Sequence, residues 1–167
     1  MSSVSGLLAG IGSSPYSASK FAMEAFTDAL RLEVKDFGIS VVTINPSFHR
    51  TPLADNILGT LASTWSNTGL EVREDYGQEF FNSFYNSSEI QSSMVMWEPH
   101  NVISEIVSCI ELSKPPPRVI IGSDAKFWLL PLRLLPTSIQ DAIPDLLAKV
   151  FKTKRAKPAK IFCRADR

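Results

Sequence analysis

Ser14-Pro15-Tyr16-Ser17-Ala18-Ser19-Lys20-Phe21-Ala22 opens a helix and sets a phenol four residues ahead of an ammonium. Positions i and i+4 share a helix face, so the Tyr16 hydroxyl and the Lys20 ammonium can meet around one bound molecule. A free phenol ionises near ~10 and is a poor base at neutral pH. A cation about 4 Å away, at an effective dielectric of ~20, favours phenolate by roughly 4 kcal/mol, or ~3 pKa units. That brings a phenol into the range useful for proton transfer. Alone the pair is a weak signal, because the same spacing occurs on many solvated helix faces.

Working outward, Ser14 suits the N-cap and Pro15 the first helical position. The pattern predicts a helix to about Phe37, stopped by Gly38. Ala22, Phe26, Ala29, Leu30, Glu33 and Phe37 follow helical spacing; all but Glu33 are apolar, and this face is predicted to meet a core. Lys20, Glu24, Asp28, Arg31 and Lys35 form a charged stripe expected in solvent. Upstream, Gly6 to Ser14 is a small-residue loop with Gly6, Gly10 and Gly12. Downstream, Ile39 to Ile44 is a β-branched run bounded by Gly38 and Asn45-Pro46, which predicts a buried parallel strand.

Further on, helices are predicted near Pro52–Thr64 and Asp75–Met94, and over Asn101–Leu112. Pro115-Pro116-Pro117 ends the last of these, and Arg118–Ile121 reads as a short strand. Residues 127–151 are apolar but interrupted by Pro131, Pro136 and Pro144, and carry Arg133, Asp141 and Asp145. These exclude a membrane span. Two short amphipathic helices are expected there, covering a substrate pocket or lying in a membrane interface. Residues 152–167 form a basic tail. This divides the chain into 1–126, 127–151 and 152–167.

A chain of 167 residues is long enough for one domain burying roughly two thirds of its unfolded surface. Basic and acidic residues number 17 each, so charge gives no reason to expect a nucleic-acid partner. Cys109 and Cys163 fit no metal or disulfide spacing. Met1–Gly6 has neither a basic region nor a long apolar run, so no signal peptide or anchor is expected. Asn86-Ser87-Ser88 is a glycosylation sequon that matters only in a secretory compartment. His49 and His100 read as structural, since no nucleophile elbow or acidic partner accompanies them.

Pro15–Ala22, with Glu24-Ala25-Phe26 and Leu30-Arg31, resembles the active-site helix of short-chain dehydrogenases/reductases. Val41-Val42-Thr43-Ile44-Asn45-Pro46 resembles that family's next strand, entering its cofactor-contacting loop. Gly122-Ser123-Asp124-Ala125-Lys126, Leu130-Pro131-Leu132 and Leu135-Pro136 resemble the retinol and hydroxysteroid dehydrogenase branch. The resemblance implies an α/β fold: the C-terminal half of a Rossmann-like doubly wound parallel sheet, with a mostly helical C-terminal extension.

It also implies chemistry. Tyr16 would exchange a proton with the substrate oxygen, Lys20 would bind the cofactor ribose, and Ser3 would hold the substrate oxygen. Ser2 and Ser5 are alternatives for the serine. Pro46 and Thr51 would join Tyr16 and Lys20 in contacting NAD or NADP; for Thr51 the other role is N-cap of a helix opening at Pro52. Pro46-Ser47 departs from the family's Pro-Gly, whose glycine permits close backbone approach. The implied substrate is an apolar alcohol or carbonyl such as a retinoid or steroid. A homodimer through the active-site helix and endoplasmic reticulum membrane association follow by the same analogy. No Gly-x-Gly-x-x-Gly follows a strand in this chain, so the family's N-terminal half, with its pyrophosphate cradle and catalytic asparagine, is expected to be missing. The alternative is therefore a truncated, inactive product that at most binds a full-length relative.

Overall fold

A computed structural model describes residues 1–93 and 96–150. The basic tail over 152–167, Cys163 and Met94 lie outside the described residues. In chain order the elements are α1 (Ser14–Glu33), β1 (Thr43–Pro46), α2 (Pro52–Asp55), α3 (Ile57–Asn67), α4 (Leu70–Tyr76) and α5 (Gln78–Ser93). Then come α6 (His100–Glu111), β2 (Arg118–Ile121), α7 (Leu130–Arg133) and α8 (Thr137–Val150). The described residues form two units, one from 1–50 with 96–140, the other from 51–93 with 141–150.

In the first unit β1 and β2 run parallel, with Thr43 opposite Arg118 and Pro46 opposite Ile121. The strand predicted over Ile39–Ile44 therefore begins later and runs through Pro46. A ladder exists only where a partner stands, and the partner begins at Pro117, whose carbonyl accepts from Thr43 N at 3.0 Å. Successive residues of a strand bond to opposite sides. Thr43 and Ser47 bond toward β2, so Ile44 C=O faces the other edge, where Ser2 N reaches it at 2.9 Å. The parallel return needs a crossover, and α6 belongs to it. Val102, Ile106 and Cys109, on one face of α6, pack with Val42, Ile44, Val119 and Ile121 to form the core.

α1 corrects the sequence-based expectation in two ways. Ser13 rather than Ser14 precedes the first helical residue, and its Oγ bonds Gly10 O at 2.8 Å and Ser17 Oγ at 3.0 Å instead of capping a backbone N–H. The α-helix ends at Glu33; a 3-10 turn over Lys35–Phe37 follows, closed by Gly38 at φ 71°. The larger correction concerns its faces. Phe26 and Phe37, predicted to meet a core, are 61 % and 79 % exposed, whereas Glu24, predicted in solvent, is 6 % exposed. Asn45 and Arg118 stand against the helix and bond Glu24, so its polar stripe is the face that finds partners.

The second unit is helical. The predicted Pro52–Thr64 helix is two helices, α2 and α3, separated at Asn56, and α5 is set off from α4 by Gly77 at φ 82°. Trp65 stacks on Phe81 at 4.8 Å between centroids, and Tyr76, Phe80 and Phe84 form a second aromatic series. Each such pair contributes about 0.5–1.5 kcal/mol beyond its buried area. α8 continues through Pro144, at the loss of one backbone donor. No described helix is long and apolar enough to cross a membrane.

Candidate active site

Ser2 to Leu7 crosses between β1 and the first turns of α1. Ser2 Oγ donates to Lys20 O at 3.4 Å. Gly6 passes so near that a β-carbon there would stand 2.8 Å from Ser2 Oγ and 2.9 Å from Lys20 O. A glycine is therefore required where this segment meets the helix. Ser3, 8 % exposed, accepts from Ser5 N at 3.2 Å through its Oγ. The backbone thus takes one lone pair of that hydroxyl and leaves its proton free to donate.

Tyr16 and Lys20 lie one turn apart on α1, as their spacing predicts. Lys20 Nζ stands over the Tyr16 ring, 5.4 Å from its centroid, a cation–π contact rather than a bond to the hydroxyl. Tyr16 is 42 % exposed. Among the described residues neither the Tyr16 hydroxyl nor the Lys20 ammonium has a hydrogen-bond or ion-pair partner. Both are free for a ligand: the ammonium for vicinal hydroxyls such as those of a ribose, the phenol for a substrate oxygen.

Pro46 ends β1, and Ser47 follows it. Ser47 Oγ donates to Asp124 Oδ1 at 2.8 Å, and Trp97 Nε1 donates to the same oxygen at 2.9 Å. Gly122, just past β2 at φ 112°, passes close to Ser47. His49 is a loop histidine here: 8 % exposed, its Nδ1 3.1 Å from Ser47 O, its backbone bridged to Trp97. Thr51 belongs to the second unit, where its Oγ1 accepts from Ala54 N at 3.2 Å and caps α2.

Three residues of this region, Glu24, Asn45 and Arg118, receive no site role from the sequence. Glu24 Oε1 accepts from Asn45 Nδ2 at 2.6 Å, its Oε2 accepts from Arg118 at 2.8 Å, and Asn45 Nδ2 also donates to Ser3 O at 3.0 Å. The continuation of the Tyr16–Lys20 stripe to Glu24 was the available signal; the partner 94 residues away leaves no local trace. Beside them, the Arg31 guanidinium bonded to Asp28 holds that carboxyl below its ordinary range; partial burial opposes this, and Arg118 adds to it.

The geometry is thus a parallel strand pair with a crossover helix, and a Tyr-x-x-x-Lys helix against a serine segment. Residues 1–61 match the short chain dehydrogenase family, and the chain belongs to it. The 17-beta-hydroxysteroid dehydrogenase type 6 of Rattus norvegicus is 37 % identical over 149 residues, covering 86 % of this chain and 45 % of the relative. The 3beta-hydroxysteroid dehydrogenase dhs-16 of Caenorhabditis elegans is 34 % identical over 158 residues (91 % and 39 %). Retinol dehydrogenase 16 of Rattus norvegicus is 33 % identical over 151 residues (86 % and 45 %). The chain thus spans less than half the length of these relatives. A solved short-chain dehydrogenase from Streptomyces avermitilis superposes with a TM-score of 0.51 at 24 % identity, over 90 % of this chain and 48 % of that one. Its likeness carries the fold, a partial Rossmann-like α/β domain.

Proposed function

We propose that this chain carries the proton-transfer site of an NAD(P)-dependent oxidoreductase acting on an apolar alcohol or carbonyl, such as a steroid or retinoid. One observation carries the proposal: Tyr16 and Lys20 share a helix face with their polar ends free among the described residues, and the segment that carries Ser3 meets that helix at the Lys20 carbonyl, through Ser2 Oγ. When bound, the nicotinamide cofactor supplies or accepts the hydride at the carbon bearing the oxygen. Tyr16 Oη passes the proton to or from that oxygen, and Ser3 Oγ–H steadies it. Lys20 holds the ribose hydroxyls. Pro46 and Thr51 are the proposed contacts of the loop that follows β1.

The relatives' names support the substrate class. We extend the proposal to two surfaces. The exposed apolar face of α1, with Phe26 and Leu32, would pair two copies. Phe127, Trp128 and Leu134, each at least 74 % exposed, with Lys126 and Arg133 beside them, would meet a membrane surface such as that of the endoplasmic reticulum.

The test is titration of the purified chain with NAD(H) and NADP(H), followed by turnover of steroid and retinoid alcohols. Saturable binding, with turnover lost in Tyr16→Phe, supports the enzyme. A folded chain that does neither supports the inactive alternative, a binding partner of a longer relative.

A further inference from the structure

Glu24 lies four residues beyond Lys20 on one face of α1, in a stripe whose spacing predicts exposure, yet it is buried. Asn45 is enclosed completely, at 0 % exposure. Its amide nitrogen faces two acceptors, the Glu24 carboxylate at 2.6 Å and the Ser3 carbonyl at 3.0 Å. That chemistry allows one orientation of the amide. It also leaves Asn45 Oδ1 buried without a hydrogen-bond partner among the described residues, a desolvation cost that nothing offsets. Placing the Glu24 charge inside the protein costs several kcal/mol before pairing. Apolar residues at 24 and 45 would avoid both costs, so burial for its own sake does not account for this arrangement.

What the two residues do provide is a continuous polar strut. It runs from Arg118 on β2 to Glu24 on α1, on to Asn45 on β1, and ends on the backbone of Ser3. Ser3 and Lys20 are on different segments, joined by the Ser2 Oγ bond to Lys20 O and by the close approach of Gly6. The strut ties the same pair of segments together a second time, one helical turn beyond Lys20.

We propose that Glu24 and Asn45 are positioning residues: they hold the Ser3 backbone in register with the Tyr16–Lys20 face of α1, with Arg118 anchoring Glu24 from β2. This rests on the oxidoreductase function proposed above, and its test is built to stand apart from that function.

Hydrogen exchange on the full chain reads the strut without turnover. Glu24→Ala cuts it at the helix; amide exchange over Ser2–Leu7 should accelerate on the order of ten-fold or more, while Ile44, Val119 and α6 stay within about three-fold of wild type. Glu24→Gln keeps an oxygen for Asn45 and should leave Ser2–Leu7 within about three-fold. In alcohol oxidation, kcat should fall on the order of ten-fold in Glu24→Ala with the alcohol KM within about three-fold, and Glu24→Gln should recover most of the loss. Unchanged exchange over Ser2–Leu7 in folded Glu24→Ala overturns the proposal. So does a uniform rise over every amide, which would make Glu24 a support of the whole fold. Should Glu24→Ala fail to fold, Asn45→Leu is read by the same criteria. A wild-type chain without turnover counts against the oxidoreductase, and the exchange pattern still decides the strut.

Discussion

Gly122 crosses Ser47 so closely that a β-carbon on it would collide with the Ser47 hydroxyl and stand 2.5 Å from Asp124 Oδ1. The crossing locks the C-terminal ends of β1 and β2 together at the edge where the loop after β1 begins.

Gly122→Ala should therefore be among the more damaging single-methyl changes in the chain. It combines a φ of 112° with a contact to two polar side chains. Strain at such a φ and local overpacking each cost about 1–3 kcal/mol. Urea unfolding should show a loss of at least about 2 kcal/mol. A midpoint equal to wild type would mean that the crossing relaxes freely.

Gly6→Ala reports on the site rather than on the strand ends. The new carbon meets the Lys20 carbonyl at 2.9 Å, and a backbone atom cannot rotate aside as a side chain can. The expected stability loss is about 1–3 kcal/mol. Nicotinamide-cofactor binding should weaken as Lys20 is displaced, with calorimetry as the measurement; wild-type affinity would separate Gly6 from the site.

Asp28 gives the chain a pH dependence of known sign. Arg31, 2.6 Å away, holds the carboxyl below its ordinary value of 3.8 in the folded state. The folded value is the lower one, so the unfolded state binds more protons in acid. The stabilisation is present above 3.8 and is lost as the pH falls through the lower folded value. Asp28→Asn should therefore flatten the acid limb of stability below about pH 4. Asp28 is 47 % exposed, so about 1 M salt should shrink the difference between the two proteins. Equal acid limbs at low salt would count against the Arg31–Asp28 pair.

Tyr16→Phe and Lys20→Met should dissociate stability from chemistry. Tyr16 is 42 % exposed and its hydroxyl bonds nothing in the described chain, so unfolding should change by no more than about 0.5 kcal/mol. If the chain turns over apolar alcohols, Tyr16→Phe should lower kcat by roughly 10²–10⁴-fold. Lys20→Met should raise the cofactor dissociation constant as well as lower kcat. An active Tyr16→Phe enzyme would place the proton elsewhere.

Much of this molecule is legible before any coordinates. Tyr16, Lys20 and Ser3 carry the family's motif, and the helix, the two strands and α6 follow from local patterns of period 3.6 and 2, bounded by glycine and proline. Their exact limits were less legible. Pairing starts at Thr43 because the carbonyl of Pro117 stands opposite, and a strand's own residues do not say where its partner begins. Asn56 and Gly77 divide the later helices by a local change of backbone angle that the surrounding polar sequence masks.

The sequence by itself determined that α1 has two unlike faces and that a phenol and an ammonium share one of them. Only the tertiary structure decided which face would be inside. Periodicity measures segregation along one helix; burial depends on what stands across from it. Here Arg118 and Asn45 stand across from it, so Glu24 is drawn in and Phe26 is left outside.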